Sequence, residues 1–207
     1  IKGRDLWHGF TLKAIDGSSV QTMDTAENQI KYPQPSEQKK GCGFPVIGIC
    51  GVTNLSHGGW DALATMKHTS HDHVGIYEVL QHFGKNDLCL ADRAYNSYEF
   101  MWTLARQGCQ SLMRLHQARK RVLDWKKGKK LGKNDRLYTW QKARVKPAGS
   151  KLSKEEWALL PESMEVRVIR YKYQTREGKT AWMYIATSLL DQEKYPYEEL
   201  CDLYHER

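Results

Sequence analysis

Two acidic residues stand directly behind or within short apolar stretches: Asp16 in Ala14-Ile15-Asp16-Gly17-Ser18 and Asp92 in Leu90-Ala91-Asp92-Arg93. Carboxylates delivered by central strands suit hard divalent cations, which bind through a few oxygen ligands plus substrate phosphates and keep part of their water shell. A pair of such ions roughly 3.5–4 Å apart activates the attacking oxygen and stabilises the leaving one in phosphodiester chemistry. Asp after a strand is also a common turn or cap residue, so spacing alone leaves both readings open. A third feature bears on the choice. Residues 119–151 carry 13 Lys/Arg against 2 Asp/Glu, a surplus of 11 that exceeds the +8 of the whole chain. A localised basic run, with Lys126, Lys127, Lys129 and Lys130 at its centre, can bind a phosphate backbone by releasing condensed counterions. The alternative is a solvated lysine-rich loop.

Other residue clusters point elsewhere. His68, His71, Asp72 and His73 are dense enough for a transition metal, but no CxxC or second His pair completes a site, and a polar loop between a strand and a helix accounts for them equally. The five cysteines are an odd number without a CxxC pair, which favours reduced thiols, with Cys42 and Cys50 as buried small hydrophobes. Tyr171, Tyr173, Trp182 and Tyr184 alternate along strand-like segments and suit either a core or a nucleic-acid stacking surface.

The elements that must position these residues are legible in part. Residues 10–15 predict a strand ended by a turn at 16–19, which places Asp16 at the strand's C-terminal end. Residues 25–43 read as an irregular loop. Residues 45–55 and 60–67 predict two strands joined through Gly58-Gly59. Apolar spacing predicts a helix over 74–83 stopped by Gly84. A short buried strand over 87–91 delivers Asp92 at its end. Asn96, with Glu99 three residues on, predicts a capped helix ending at Gly108, followed by a strand over 110–115. Beyond Arg119 the segments 137–140, 164–173 and 180–188 predict a β-rich insertion, with Gly178 between the last two. Pro196 then opens a helix whose Leu200, Leu203, Tyr204 and Arg207 share a face.

Composition bounds the function classes. A mean hydropathy of −0.69 and the lack of an apolar run of about 18 residues exclude a helical membrane span. Aromatic residues at 11% and seven Trp exclude a disordered chain. The start at Ile1 and the stop at Arg207, inside a helical pattern, predict a piece of a longer protein, and no secretory leader is expected.

The runs AIDGSSVQTMDTAEN (14–28), GCGFPVIGICG (41–51), NDLCLADRAYNSYEFMWTLARQG (86–108), IATSLLD (185–191) and YPYEELCDLYHER (195–207) resemble, in order and spacing, the catalytic domain of bacterial cut-and-paste DDE transposases of the insertion-sequence-four family. The resemblance implies an α/β fold, an RNase H-like mixed sheet with flanking helices and a β-rich insertion. On that pattern residues 1–118 are the catalytic core with both Asp, 119–190 the basic β-rich insertion, and 191–207 the start of the C-terminal core helix. It also implies that Asp16 and Asp92 are catalytic metal ligands for two Mg²⁺ or Mn²⁺ ions. The family's third ligand is a Glu in a Tyr-x-x-Arg-x-x-x-Glu helix signature. Tyr204 and Arg207 match the first two positions as the phosphate-contacting pair, and the Glu would fall four residues past Arg207, so that residues 1–207 alone are expected to be inactive. Trp182 lies close to the family tryptophan that stacks on a flipped base.

The function so implied is metal-dependent DNA cleavage and strand transfer at transposon ends by the intact protein. The expected partners are transposon-end and target DNA and a second copy in a synaptic homodimer, without a membrane, in the cytoplasm at the nucleoid. The alternatives are a catalytically inactive DNA-binding module and an RNase H-like nuclease.

Overall fold

The computed structural model describes residues 6–68 and 73–206, with the backbone alone for His73 and Val74. The chain forms two compact units, Ile1–Phe83 and Gly84–Arg207.

The first unit is an antiparallel meander of β1 (Thr11–Gln21), β2 (Val46–Asn54) and β3 (Gly59–Lys67). β1 runs straight through the Asp-Gly-Ser-Ser tetrad expected to turn, and Asp16 sits mid-strand opposite Gly51. The cause is tertiary pairing: β2 offers a ladder partner to every residue from Lys13 to Gln21, which overrides the turn preference of the tetrad. The loop expected over 25–43 contains a short helix, α1 (Ala26–Lys31), because the Thr25 hydroxyl accepts from the Asn28 N–H and caps it. Cys42 is exposed in a turn closed by its N–H on the Lys39 carbonyl, so it is not the buried hydrophobe expected, whereas Cys50 is. Helix α2 (His73–Val79), continued by a 3-10 turn at Leu80–His82, covers one sheet face. Ile15, Cys50, Val52, Ala64 and Met66 are buried there. The approach is close enough that a Cβ at Gly75 would lie 2.5 Å from the Cys50 Cβ, so glycine permits this packing.

The second unit begins with β4 (Asp87–Ala91), buried along its whole length, as a parallel strand covered on both faces must be. It pairs with β5 (Gln110–Arg114) through the crossover helix α3 (Tyr98–Arg106). Ser97, not Asn96, caps α3, through its Oγ on the Phe100 N–H. Asn96 is instead buried, and its Oδ1 accepts from the His116 N–H at 3.0 Å. The chain then makes α4 (Gln117–Val122), β6 (Lys129–Gly132), β7 (Asp135–Gln141) and α5 (Lys154–Ala158). It continues through β8 (Ser163–Gln174) and β9 (Thr180–Thr187) to α6 (Tyr197–His205). β9 returns antiparallel to β5, so the β-rich segment joins the same mixed sheet as β4 and β5, in the order β4-β5-β9-β8-β7-β6.

A buried ion pair locks this unit. Arg167 on β8 is fully buried; its Nε and Nη2 donate to the Asp135 carboxylate on β7, and its Nη1 donates to the carbonyls of Leu189 and Tyr195. One guanidinium thereby fixes the segment that leads into α6, and the planar fork is what lets one side chain serve three partners.

Candidate active site

Asp92 follows β4 directly and caps the 3-10 turn Arg93–Tyr95, its Oδ1 accepting from the Ala94 N–H at 3.3 Å. The side chain is half-buried, and among the described residues none donates to its Oδ2. Asp16 is exposed on β1, with its Oδ1 on the neighbouring Gly17 N–H at 2.9 Å and its Oδ2 likewise unshared. Neither carboxylate has a cationic side chain as an ion-pair partner among the described residues. Each therefore presents one unshared hard oxygen, the donor type that Mg²⁺ and Mn²⁺ select. Asp16 belongs to the first unit and Asp92 to the second.

The face of β1 that bears Asp16 carries an aromatic neighbour. Gly51, the cross-strand partner of Asp16, has the Trp60 ring over its backbone, where a Cβ would collide with the ring. Trp60 stays 64% exposed on that face.

Helix α6 brings Tyr204 to Asp92's strand. Leu200 is fully buried, and the Tyr204 hydroxyl donates to the carbonyl of Ala91, the residue before Asp92, at 3.2 Å. The hydroxyl proton is thus committed to the main chain, and a Tyr204 contact with phosphate requires that bond to be exchanged. Arg207 lies outside the described residues. Burial pushes the Cys201 thiol on the same helix up to about 11.

Trp182 is half-buried on β9 and lines a cavity of about 330 Å³ with Arg93, Arg114, Gln117, Lys120 and Arg121. Arg93, the residue after Asp92, is one of the cavity's lining cations. Of the four aromatics Tyr171, Tyr173, Trp182 and Tyr184, none reaches the core; all are half-buried. Lys126, Lys127, Lys129 and Lys130 are exposed, and Lys127 and Lys129 line one groove with Arg119, Tyr138 and Trp140. Arg119 is held over the Trp140 ring at 4.2 Å, and burial lowers its proton affinity.

The histidine cluster does not assemble a site that can be described. His68 is an exposed turn residue; His71 and Asp72 lie outside the described residues, as does the side chain of His73. Among the described residues no group of three His, Cys, Asp or Glu side chains is arranged to hold a metal. Sequence reasoning missed the cavity residues Arg93, Arg114 and Lys120 and the locking pair Arg167–Asp135. The basic letters of QARKRV at 117–122 were the available signal for the cavity.

A sequence model of the transposase DDE domain matches residues 7–207. The chain belongs to the transposase DDE domain family. Two relatives in Escherichia coli (strain K12) are similar to it: the transposase InsG for insertion sequence element IS4, 28% identical over 97% of this chain, and the putative transposase InsZ, 30% identical over 51% of it. The chain spans 42% and 36% of those two proteins, respectively. Membership of the transposase family gives the mixed α/β architecture its name, an RNase H-like fold. In this transposase domain no helix among the described residues is long and apolar enough to cross a membrane.

Proposed function

We propose that the protein containing this domain cleaves and joins DNA at the ends of an insertion sequence, with Asp16 and Asp92 as ligands for two divalent metal ions, Mg²⁺ or Mn²⁺. The observation that carries this reading is the unshared Oδ2 of Asp92 at the end of a buried strand, next in sequence to a residue that lines a cationic cavity, in a chain matched across residues 7–207 by the transposase DDE domain. Bound there, such ions supply Lewis-acid charge neutralisation and a water of lowered pKa. The chain's own residues do the rest. Asp92 is oriented by its cap bond from the Ala94 N–H to Oδ1, which leaves Oδ2 for the metal. Tyr204 moors α6 to Ala91, and Arg207, three residues on, grips a phosphate through its fork. Trp182 stacks on an unpaired base, and Lys126, Lys127, Lys129 and Lys130 supply affinity for the backbone regardless of sequence.

A third carboxylate, a Glu four residues past Arg207, completes the ligand set. Residues 1–207 alone are then expected to bind DNA without nicking or joining it. The partners are transposon-end and target DNA and a second copy of the protein, in the cytoplasm at the nucleoid.

The test is incubation of supercoiled plasmid with Mn²⁺ and either residues 1–207 or a form extended through the whole helix, with Asp92→Asn in the longer form as control. Nicking by the extended form alone, lost in the control, is the expected result. Equal cleavage by the shorter chain would move the third ligand inside it.

A further inference from the structure

Away from the two carboxylates, the densest cluster of aromatic and cationic side chains lies on the open face of β8 and β9. Their register sets Arg170 opposite Tyr184 and Lys172 opposite Trp182, so all four side chains share one face. Onto that face the segment between α4 and β6 folds Trp125. Its ring meets Tyr184 edge-on at 6.0 Å and takes the Arg136 guanidinium at 5.0 Å. The Trp125 indole N–H is buried without an acceptor among the described residues, an unfavourable placement that only strong ring contacts offset.

Arg170 stands at the centre. Its guanidinium carbon lies 4.1 Å from the Trp125 ring centroid and 4.7 Å from that of Trp182, so one cation serves two indoles. Asn134 orients it, through Oδ1 on the Arg170 Nε at 3.4 Å and the backbone carbonyl on the Arg170 N–H at 3.0 Å. Trp125 directly precedes Lys126 and Lys127, whereas Trp182 walls the cationic cavity. The two features read as DNA-contacting are therefore joined through a single planar cation. A lysine cannot replace it, because an ammonium is a point charge and does not stack flat on two rings.

We propose that Arg170 is a positioning residue: it holds Trp182 in the orientation that accepts an unpaired base and ties the lysine-rich segment to that orientation through Trp125. The inference rests on the reading of Trp182 as a base-stacking residue.

The test uses the 207-residue chain labelled with 5-fluorotryptophan and a short DNA duplex carrying one unpaired base, against the fully paired duplex of the same sequence. In Arg170→Lys the fluorine resonances of Trp125 and Trp182 shift together, while that of Trp157, buried on α5, stays put and reports an intact fold. The preference for the unpaired base falls about tenfold, the scale of one base–aromatic stack, with the salt slope unchanged because the charge is retained. Trp182→Ala loses the same preference, and the double variant loses no more, as two residues acting in one unit require. Trp125→Phe, which keeps Arg170, also shifts the Trp182 resonance.

Unmoved Trp182 resonances in both Arg170→Lys and Trp125→Phe overturn the proposal. So does a loss in Arg170→Lys that is equal for both duplexes, since Arg170 would then be gripping phosphate itself. A preference that survives Trp182→Ala instead sinks the stacking role beneath the inference, whatever the resonances do.

Discussion

Asp16 and Asp92 are held in opposite ways. Asp92 ends a strand with no exposed residue, caps the turn that follows, and is followed by Arg93, which lines a cavity with Trp182. Asp16 stands in the middle of a long strand, exposed, bonded only to its neighbour's N–H among the described residues, opposite a glycine. The units around them differ as well: Ile1–Phe83 has 7 Lys/Arg and 8 Asp/Glu, whereas Gly84–Arg207 has 25 and 16. A carboxylate at Asp92 has a local structural reason to exist. The fold demands nothing of the kind at Asp16, where a mid-strand Ser or Thr would pair as well.

The contrast sharpens under substitution. In the full-length protein Asp16→Asn and Asp92→Asn should each lower DNA cleavage roughly a thousandfold, the scale of several kcal/mol at about 1.4 kcal/mol per tenfold. Their effects on folding should differ. Urea denaturation of Asp16→Ala is expected to stay within about 0.5 kcal/mol of the parent, but Asp92→Ala should lose about 1 kcal/mol with its cap. Equal stability losses would break the comparison.

The next largest effect belongs to the second unit. Asp135→Ala leaves the Arg167 guanidinium buried without its carboxylate, and unfolding free energy should drop by about 3–5 kcal/mol. A drop below about 1 kcal/mol would mean that water reaches the pair.

Replacing Lys126, Lys127, Lys129 and Lys130 together by Gln should weaken DNA binding for every sequence alike and reduce the slope of log affinity against log salt by about 0.9 for each phosphate that is no longer neutralised. An unchanged slope would reassign the run to solubility. The smallest effect concerns Cys201. Its thiol, held up to about 11 against an ordinary 9.0, stays neutral in the folded chain while the unfolded chain ionises, so its contribution is complete below pH 9 and fades as pH rises toward 11. At pH 8 iodoacetamide should modify exposed Cys42 and spare Cys201, as mass mapping would read.

Much of this fold is legible in the sequence. The strands over 46–54, 59–67, 87–91 and 110–114 stand out by apolar run and bounding glycines, and Asp92 falls at a strand end as its neighbours predict. Asp16 is misplaced by local reading because Asp-Gly-Ser-Ser is turn chemistry on its own and strand only through its partner β2. Asn96 and Ser97 both suit a cap, and the choice between them is made by a contact 20 residues away, at His116. Short helices such as Ala26–Lys31 and Gln117–Val122 bury no residue and so leave no periodic trace. The Arg167–Asp135 pair is hidden for a related reason: 32 residues separate two letters that, taken singly, look like ordinary surface charges.

The bond from Tyr204 to Ala91 ends on a main-chain oxygen. Every amino acid offers that same acceptor, so the mooring of the helix is indifferent to the identity of residue 91 so long as the side chain there stays small enough for the buried strand. Genetic drift at position 91 is thereby uncoupled from this contact of the helix beside Asp92, whereas position 204 has less latitude: loss of its hydroxyl removes the bond whatever stands opposite, and leaves the helix to its buried Leu200 and Leu203.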